Sequence, residues 1–311
     1  MKKKIKKYIK QIIHKLDIED CIRCHVMNIR KDKISSLSKD QKISKLKKWY
    51  FNNTGKSLCI ENPQSFNEKI QWLKINDFNE EKVILSDKYS VRNWIKKTIG
   101  EKYLIPIYGV WDDANKINFE RLPKKFVLKS NHGSGMNLIV DDKSKINHKK
   151  VIKKLNYWLN TPYDPYGMEQ QYFSIPRKII AEKYIEQQDG DLIDYKIHCF
   201  NGTPKLIHVI GNRNLKEHTA KEACFDLNWN NTPVMYKTYE QYDILPKKPE
   251  KLNEMLQVAE KLSKNFKYVR IDLYMIENEI KFGEITFTPA SGIGKFENEK
   301  NNELLGSWIK L

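Results

Sequence analysis

Arg270-Ile271-Asp272-Leu273-Tyr274 and Phe282-Gly283-Glu284-Ile285-Thr286-Phe287 decide the fold. Both alternate polar and apolar residues with the period of a β-strand, and Glu277-Asn278-Glu279 between them is a polar break of the kind that closes a hairpin. A turn centred on Asn278 predicts Asp272 opposite Glu284 and Arg270 opposite Thr286. Alternation then puts Arg270, Asp272, Glu284 and Thr286 on one face, with Ile271, Leu273, Ile285 and Phe287 on the other. Two carboxylates facing each other across a strand pair repel. A divalent cation removes that penalty, and hard oxygen ligands suit Mg2+. A wet sheet face with tolerated charges is the other reading of the same pattern, and a bulge would shift the register by one residue.

Upstream, Lys125-Phe-Val-Leu-Lys-Ser and Met136-Asn-Leu-Ile-Val read as strands joined by Asn131-His-Gly-Ser-Gly. Lys129 ends the first strand, and Gly133, Ser134 and Gly135 form a flexible loop. Glycines let backbone N–H groups approach phosphate oxygens, and a lysine at the loop edge adds a point charge. The GxxxxGK[ST] spacing of a P-loop is absent, and an ordinary glycine hairpin beside a surface lysine stays open as the plainer reading. Glu182-Lys183-Tyr184-Ile185 closes a further strand, Lys178–Ile185, before a polar connector whose free backbone groups suit a purine edge.

The rest of the chain alternates helices with hairpins. A helical period runs over about 37–52, and Ser65 with Glu68 forms a capping box ahead of Phe66-Asn-Glu-Lys-Ile-Gln-Trp-Leu-Lys. A helix is expected around Asp87–Ile95, and the apolar stretch Tyr103–Trp111 is broken by Pro106 and Gly109. An amphipathic helix follows Asn147, with Val151, Leu155, Trp158 and Leu159 on one face. Tyr195–Phe200 and Lys205–Ile210 flank Asn201-Gly202, a strong hairpin signal, and Pro249 opens a helix to about Lys264. Antiparallel hairpins with interspersed helices give an α+β class.

The 311 residues carry a formal charge of +17. Residues 1–50 hold 16 Lys/Arg against 5 Asp/Glu, a net of +11 that leaves +6 for the remainder. Ile5, Ile9, Ile12, Ile13 and Leu16 fall near helical spacing in this basic leader, which suits docking on the domain or contact with an anionic membrane surface. Nucleic acid ranks below both and is not an expected partner. Neither a bilayer-length apolar run nor a secretory h-region is present, so a cytoplasmic, membrane-peripheral protein is expected. Cys21-Ile-Arg-Cys24-His25 matches the short haem-attachment pattern, but that chemistry needs export, and a lone CxxC is an incomplete zinc site. No Ser/His/Asp or Cys/His arrangement stands out by spacing, and His132, His198 and His208 receive no catalytic role.

In chain order the features run lysine, glycine loop, strand into connector, Arg-x-Asp, Glu-x-Thr. Together with Phe66–Lys74, Asp87-Lys88-Tyr89, Phe126–Gly135, Asp194-Tyr-Lys, Cys199-Phe-Asn-Gly and Phe282–Gly292, this order resembles the TupA-like ATP-grasp family over roughly residues 60–311. The resemblance implies an ATP-grasp fold, two α+β halves gripping ATP, with an N-terminal helical leader. Its expected divisions are a leader at 1–50, an α/β portion at 51–124, a lid at 125–186 and a core with the metal site at 187–311. It implies that Lys88 and Lys129 hold ATP phosphates, that Gly133, Ser134 and Gly135 close over them, and that Glu182, Lys183, Tyr184 and Ile185 contact adenine. Asp272, Glu284 and Thr286 match the metal-binding positions, the last often Asn in relatives. Arg270 matches an arginine facing the transferring phosphoryl group and, with Lys129, would be catalytic.

The family's namesake belongs to teichuronopeptide synthesis, and relatives sit among surface-polysaccharide genes. The implied activity is an ATP- and Mg2+-dependent carboxylate–amine ligase that forms an acyl phosphate, which an amine then displaces. ATP brings about four negative charges, so Mg2+ and several cationic side chains must share the neutralisation. Asp194, Lys196 and Arg213, near the hairpin, are candidates for gripping the carboxylate substrate, with surface charge as the alternative. A glycosyltransferase using a nucleotide-sugar donor is the first rival, although the Lys129 loop would then have no evident task. A binding module with a degenerate ATP site is the second.

Overall fold

The computed structural model describes residues 18–185, 192–214, 217–233 and 237–311. The expected amphipathic helix within residues 1–16 lies outside them. Packing divides the chain into two units. One takes residues up to Ser38 together with Ile107–Tyr184, and the other takes Lys39–Pro106 with Ile185–Leu311. Both are mixtures of helices and largely antiparallel sheet, an α+β fold.

The first unit is built on a four-stranded antiparallel sheet of β1 (Ile107–Trp111), β2 (Phe126–Ser130), β3 (Asn137–Val140) and β4 (Ile179–Lys183), in the order β1-β4-β2-β3. Phe126, Leu128, Val140, Ile179 and Ala181 on its inner face meet Val151, Leu155 and Trp158 of the helix His148–Asn160. That helix starts where expected, the Asn147 side chain accepting from the Lys150 N–H. The helix Ile18–Ser35 packs beside it: Cys24 Sγ meets Thr161 Oγ1 at 2.8 Å, and Asn28 Nδ2 donates to the Asn160 carbonyl at 2.9 Å. Cys21 is exposed and Cys24 buried, both with free thiols, so the CxxC pair is not a disulfide.

The second unit is built on a six-stranded sheet in the order β10-β9-β5-β6-β7-β8. Its strands are β5 (Asp194–Phe200), β6 (Thr203–Asn214), β7 (Thr219–Phe225), β8 (Glu240–Gln241), β9 (Tyr268–Ile276) and β10 (Glu279–Thr286). All pairs are antiparallel except β7 with β8. Asn201 and Gly202 close the β5–β6 hairpin in left-handed conformations. One face carries Tyr195, Ile197, Ile207, Val209, Ile271, Leu273 and Ile285 into a core completed by Leu252, Met255, Ala259 and Leu262 of the helix Leu252–Ser263. Part of the opposite face, Phe200, Leu206, Cys224 and Tyr268, packs on Phe66, Ile70 and Leu73 of the helix Phe66–Asn76. The Ser65–Glu68 capping box is present in full.

The remaining α-helices among the described residues of this unit are Lys39–Thr54, Glu80–Ser86, Val91–Thr98 and Glu299–Ser307. The helix expected around Asp87–Ile95 begins only at Val91. The Asp87 carboxylate instead holds a turn, accepting from the Tyr89 N–H at 2.8 Å and the Ser90 hydroxyl at 2.6 Å, a local bond that competes with helix. No helix among the described residues is long and apolar enough to cross a membrane.

Candidate functional site

Register across the six-stranded sheet lines up a row of polar side chains. Glu284 lies opposite Asp272, Asp272 opposite Lys196, and Lys196 opposite His208. The neighbouring rows place Thr286, Arg270 and His198 together on one side, and Tyr274 with Asp194 on the other. Opposed residues share a face, so all nine belong to one surface of the sheet. Arg270, Asp272, Glu284 and Thr286 therefore pair as the alternation predicts.

The route to that register differs from a turn centred on Asn278. The turn has two residues, Glu277 and Asn278, both with positive φ, and it sets Phe282 opposite Leu273. Continued without a break, that register would leave Glu284 opposite Ile271. A bulge at Gly283 moves it by one and restores Glu284 to Asp272. A Cβ on Gly283 would lie 2.9 Å from the Tyr274 ring and 3.0 Å from the Asp272 carbonyl oxygen. Only a residue without a side chain fits there, and the bulge is built into the sequence.

Arg270 organises the cluster. Its Nε donates to Asp272 Oδ1 at 2.6 Å and its Nη2 to Asp272 Oδ2 at 2.7 Å, a bidentate fork. Nη2 also reaches Glu284 Oε1 and Thr286 Oγ1, each at 3.1 Å. Lys196 Nζ bonds Asp272 Oδ2 and lies 3.4 Å from Asp194 Oδ2, which Arg213 Nη2 also contacts. Lys88 Nζ stands 3.6 Å from Glu284 Oε2. Among the described residues, four cations (Lys88, Lys196, Arg213, Arg270) thus face three carboxylates (Asp194, Asp272, Glu284).

Burial by itself raises a carboxyl, yet Lys196 and Arg213 hold Asp194 below its ordinary value, and Lys88 and Arg270 do the same for Glu284. Burial opposes the Arg270 charge, but the Asp272 carboxylate raises its proton affinity above the usual arginine value. Burial pushes the Tyr274 hydroxyl well above its ordinary range, and the Asp194 charge adds to the effect. Burial and the nearby cations drive His198 far below the usual imidazole value. His208 is also lowered by burial, although Glu222, 3.0 Å from its Nε2, pulls the other way.

The donors fit a hard divalent cation in part. Asp272, Glu284 and Thr286 offer only oxygen, as Mg2+ prefers, and Mg2+ ordinarily keeps several waters beside one or two carboxylates. Both Asp272 oxygens carry cationic partners, whereas the Glu284 side chain is 36% exposed. The Thr286 hydroxyl donates to Glu284 Oε1 at 3.2 Å and accepts from Arg270, so it braces Glu284. Among the described residues no three His, Cys, Asp or Glu side chains cluster as a ready-made metal site.

In the first unit Lys129 and Glu182 point from adjacent strands to the same side, with Lys129 Nζ 2.5 Å from Glu182 Oε2. Lys183 is exposed and Tyr184 half-buried, with Lys125 Nζ 5.8 Å from the centre of the Tyr184 ring. Gly133, Ser134 and Gly135 link β2 to β3, Gly135 with φ of 74°. Three buried side chains anchor the base of this loop. His132 Nδ1 meets the Ser130 hydroxyl at 2.6 Å and Nε2 meets the Thr161 carbonyl at 2.9 Å, which requires the Nε2–H tautomer. Asn131 donates to the Pro176 carbonyl and accepts from the Lys178 N–H. Ile185 falls in the second unit and is half-buried.

Lys129, Gly133, Ser134, Gly135, Glu182, Lys183 and Tyr184 thus belong to one unit, and Lys88, Ile185, Asp194, Lys196, Arg213, Arg270, Asp272, Glu284 and Thr286 to the other. Tyr274 and the His208–Glu222 pair were not among the expected residues. Tyr274 had a signal, since it follows Asp272 at strand spacing on the same face. The partnership of His208 with Glu222 had none.

The family model described as TupA-like ATPgrasp matches residues 68–310. No curated protein matches the chain. Among solved structures, a D-alanine–D-alanine ligase from Bacillus anthracis is 18% identical with a TM-score of 0.37, the alignment covering 66% of this chain and 56% of that one. The corresponding ligase from Helicobacter pylori is 16% identical with a TM-score of 0.43, covering 79% and 70%. An N5-carboxyaminoimidazole synthase from Aspergillus clavatus is 11% identical with a TM-score of 0.38, covering 70% and 46%. The chain spans little more than half of the first of these.

Proposed function

The chain belongs to the TupA-like ATP-grasp family, and from that premise we propose that it is an ATP- and Mg2+-dependent carboxylate–amine ligase modifying a cell-surface or capsular polysaccharide or a precursor of one. The observation that carries this reading is the Arg270–Asp272–Glu284–Thr286 quartet with Lys196 and Lys88 beside it. Among the described residues its cations outnumber its carboxylates, which suits a polyphosphate ligand.

In this reading Asp272 and Glu284 would hold Mg2+, which would supply positive charge to offset that of the phosphates. Lys88 and Lys129 take the phosphates, and the amides of Gly133, Ser134 and Gly135 close over them. Glu182 holds Lys129 at the edge of β2 while Lys183, Tyr184 and Ile185 meet the adenine. The substrate carboxylate attacks the γ-phosphorus, the bond to the bridging oxygen breaks, and ADP leaves. Arg270 stabilises charge passing to the transferring oxygens. An amine then displaces phosphate from the acyl phosphate, giving the amide and releasing a proton.

Asp194 is neutralised by Lys196 and Arg213, so these three act as one hydrogen-bonding platform for the carboxylate substrate. The protein works in the cytoplasm, and residues 1–16, outside the described residues, contact anionic membrane. Co-sedimentation with phosphatidylserine vesicles tests that part. For the reaction, purified protein is incubated with ATP, Mg2+ and a panel of uronic acids and amines, followed by ADP detection and mass spectrometry. Amide product with one ADP per bond is expected. Turnover of a sugar nucleotide with no ADP would replace this reading with a glycosyltransferase.

A further inference from the structure

The helix Phe66–Asn76 divides its buried surface in two. Phe66, Ile70 and Leu73 enter the apolar cluster under the sheet, as helical spacing requires. Asn67, Gln71 and Lys74, spaced four and three apart, are equally buried yet polar. All three grip the backbone that follows β10. Asn67 Nδ2 donates to the Gly294 carbonyl at 2.9 Å, and Gln71 Nε2 to the Ser291 and Gly292 carbonyls at 3.1 and 2.7 Å. Lys74 Nζ donates to the Ser291 carbonyl at 2.7 Å, to Ser291 Oγ at 3.0 Å and to Gln71 Oε1 at 3.0 Å, and it sits 4.8 Å from the Trp49 ring centre.

The gripped segment is strained. Ala290, Ser291 and Gly292 all take left-handed backbone conformations, with φ of 46°, 51° and 64°. For a residue with a Cβ such a conformation costs on the order of 1–3 kcal/mol and marks a place where surrounding contacts dictate the backbone. A Cβ on Gly292 would come within 2.4 Å of Gln71 Nε2, so the glycine is part of the clasp. Ala290 is exposed and Ser291 half-exposed, so the turn presents its tip to solvent just beyond Thr286.

Gln71 alone would satisfy both carbonyls. An ammonium buried to 3% exposure is a costly addition unless its charge is used. Its bond to Ser291 Oγ fixes the direction of the hydroxyl. The oxygen accepts from Lys74, so its single hydrogen must point elsewhere, and no acceptor among the described residues takes it. A hydroxyl that accepts from a cation is also a stronger donor, and its natural partner is an anionic oxygen.

Resting on the ligase reading above, we propose that Ser291 binds a carboxylate oxygen of the acid substrate, with Lys74 polarising its hydroxyl and Gln71 and Asn67 holding the turn in place. Ser291 touches substrate, and the other three are positioning residues. The two sequence stretches Phe66–Lys74 and Phe282–Gly292 then form one device: the first fixes the end of the second.

The test is calorimetry on the full chain as wild type, Ser291→Ala, Lys74→Met and the double variant. Each is titrated with AMP-PNP and Mg2+, then in its presence with D-glucuronate, D-galacturonate and L-glutamate. Wild type should bind at least one of the acids, and each single variant should weaken that binding about tenfold, the usual weight of a hydrogen bond to a charged group. The double variant should be no weaker than either single one, because Lys74 acts through Ser291. Nucleotide affinity should stay within about twofold throughout, which a general loss of structure would not allow. Unchanged acid binding in Ser291→Ala overturns the proposal and leaves the ligase reading standing, even if Lys74→Met fails to fold. Nucleotide binding with no response to any acid overturns it as well. Absence of nucleotide binding in wild type overturns the ligase reading and this proposal with it.

Discussion

Replacing Arg270 by Met removes the centre of the charged sheet face. Four hydrogen bonds disappear at once: two to Asp272, one to Glu284 and one to Thr286. Among the described residues Asp272, 2% exposed, then keeps only Lys196, and Glu284 keeps Lys88 at 3.6 Å and the Thr286 hydroxyl. Removing one partner from a buried ion pair costs about 3–5 kcal/mol, because the remaining charge stays buried. For a cooperative unit of this size each kcal/mol moves Tm by about 2–4 °C, so a fall of roughly 6–20 °C is expected. Thermal denaturation at neutral pH reads it directly. Arg270→Met/Asp272→Leu, which removes the stranded charge with its partner, should regain part of the loss but no ligase activity. A single variant melting within about 2 °C of wild type would refute the reasoning, since the quartet could not then be assembled as described.

Three further outcomes follow from the same geometry. Gly283→Ala pushes a methyl into Tyr274 and the Asp272 carbonyl, and should cost about 1–3 kcal/mol in urea denaturation. His198 and His208 are held neutral in the fold, below their ordinary proton affinity, while the unfolded chain protonates near pH 6.5. Their contribution is therefore complete above that pH and lost as pH falls, by up to about 1.4 kcal/mol per unit for each. Urea midpoints between pH 7.5 and 5 should show the slope, and His198→Gln/His208→Gln should flatten it. Asp194 and Glu284 are held below the ordinary carboxylate range, so their loss enters only at more acidic pH. His132→Ala frees the base of the glycine loop from Ser130 and Thr161, and trypsin or hydrogen exchange should find residues 130–136 less protected.

Strand alternation and turn residues made much of the sheet legible. The faces of β9 and β10, the Asn201-Gly202 hairpin and the Ser65 capping box all rest on contacts within a few residues, where period and turn chemistry act. The pairing of Asp272 with Glu284 was read correctly through an incorrect turn. The two-residue turn and the Gly283 bulge cancel, and sequence spacing sees only their sum. The hairpin strands were legible, but Lys196 beside Asp272 was not, because it requires β5 to lie next to β9. Likewise nothing in Phe66–Lys74 announces that its polar stripe would meet carbonyls more than two hundred residues away. Long-range partnerships leave no local period to read.

Titration calorimetry of the wild-type chain with ATP and Mg2+ tests the central claim most directly. A saturable one-to-one heat is predicted, weakened at least tenfold by Lys129→Ala and by Asp272→Asn alike. No heat in wild type, or wild-type affinity in both variants, would contradict it.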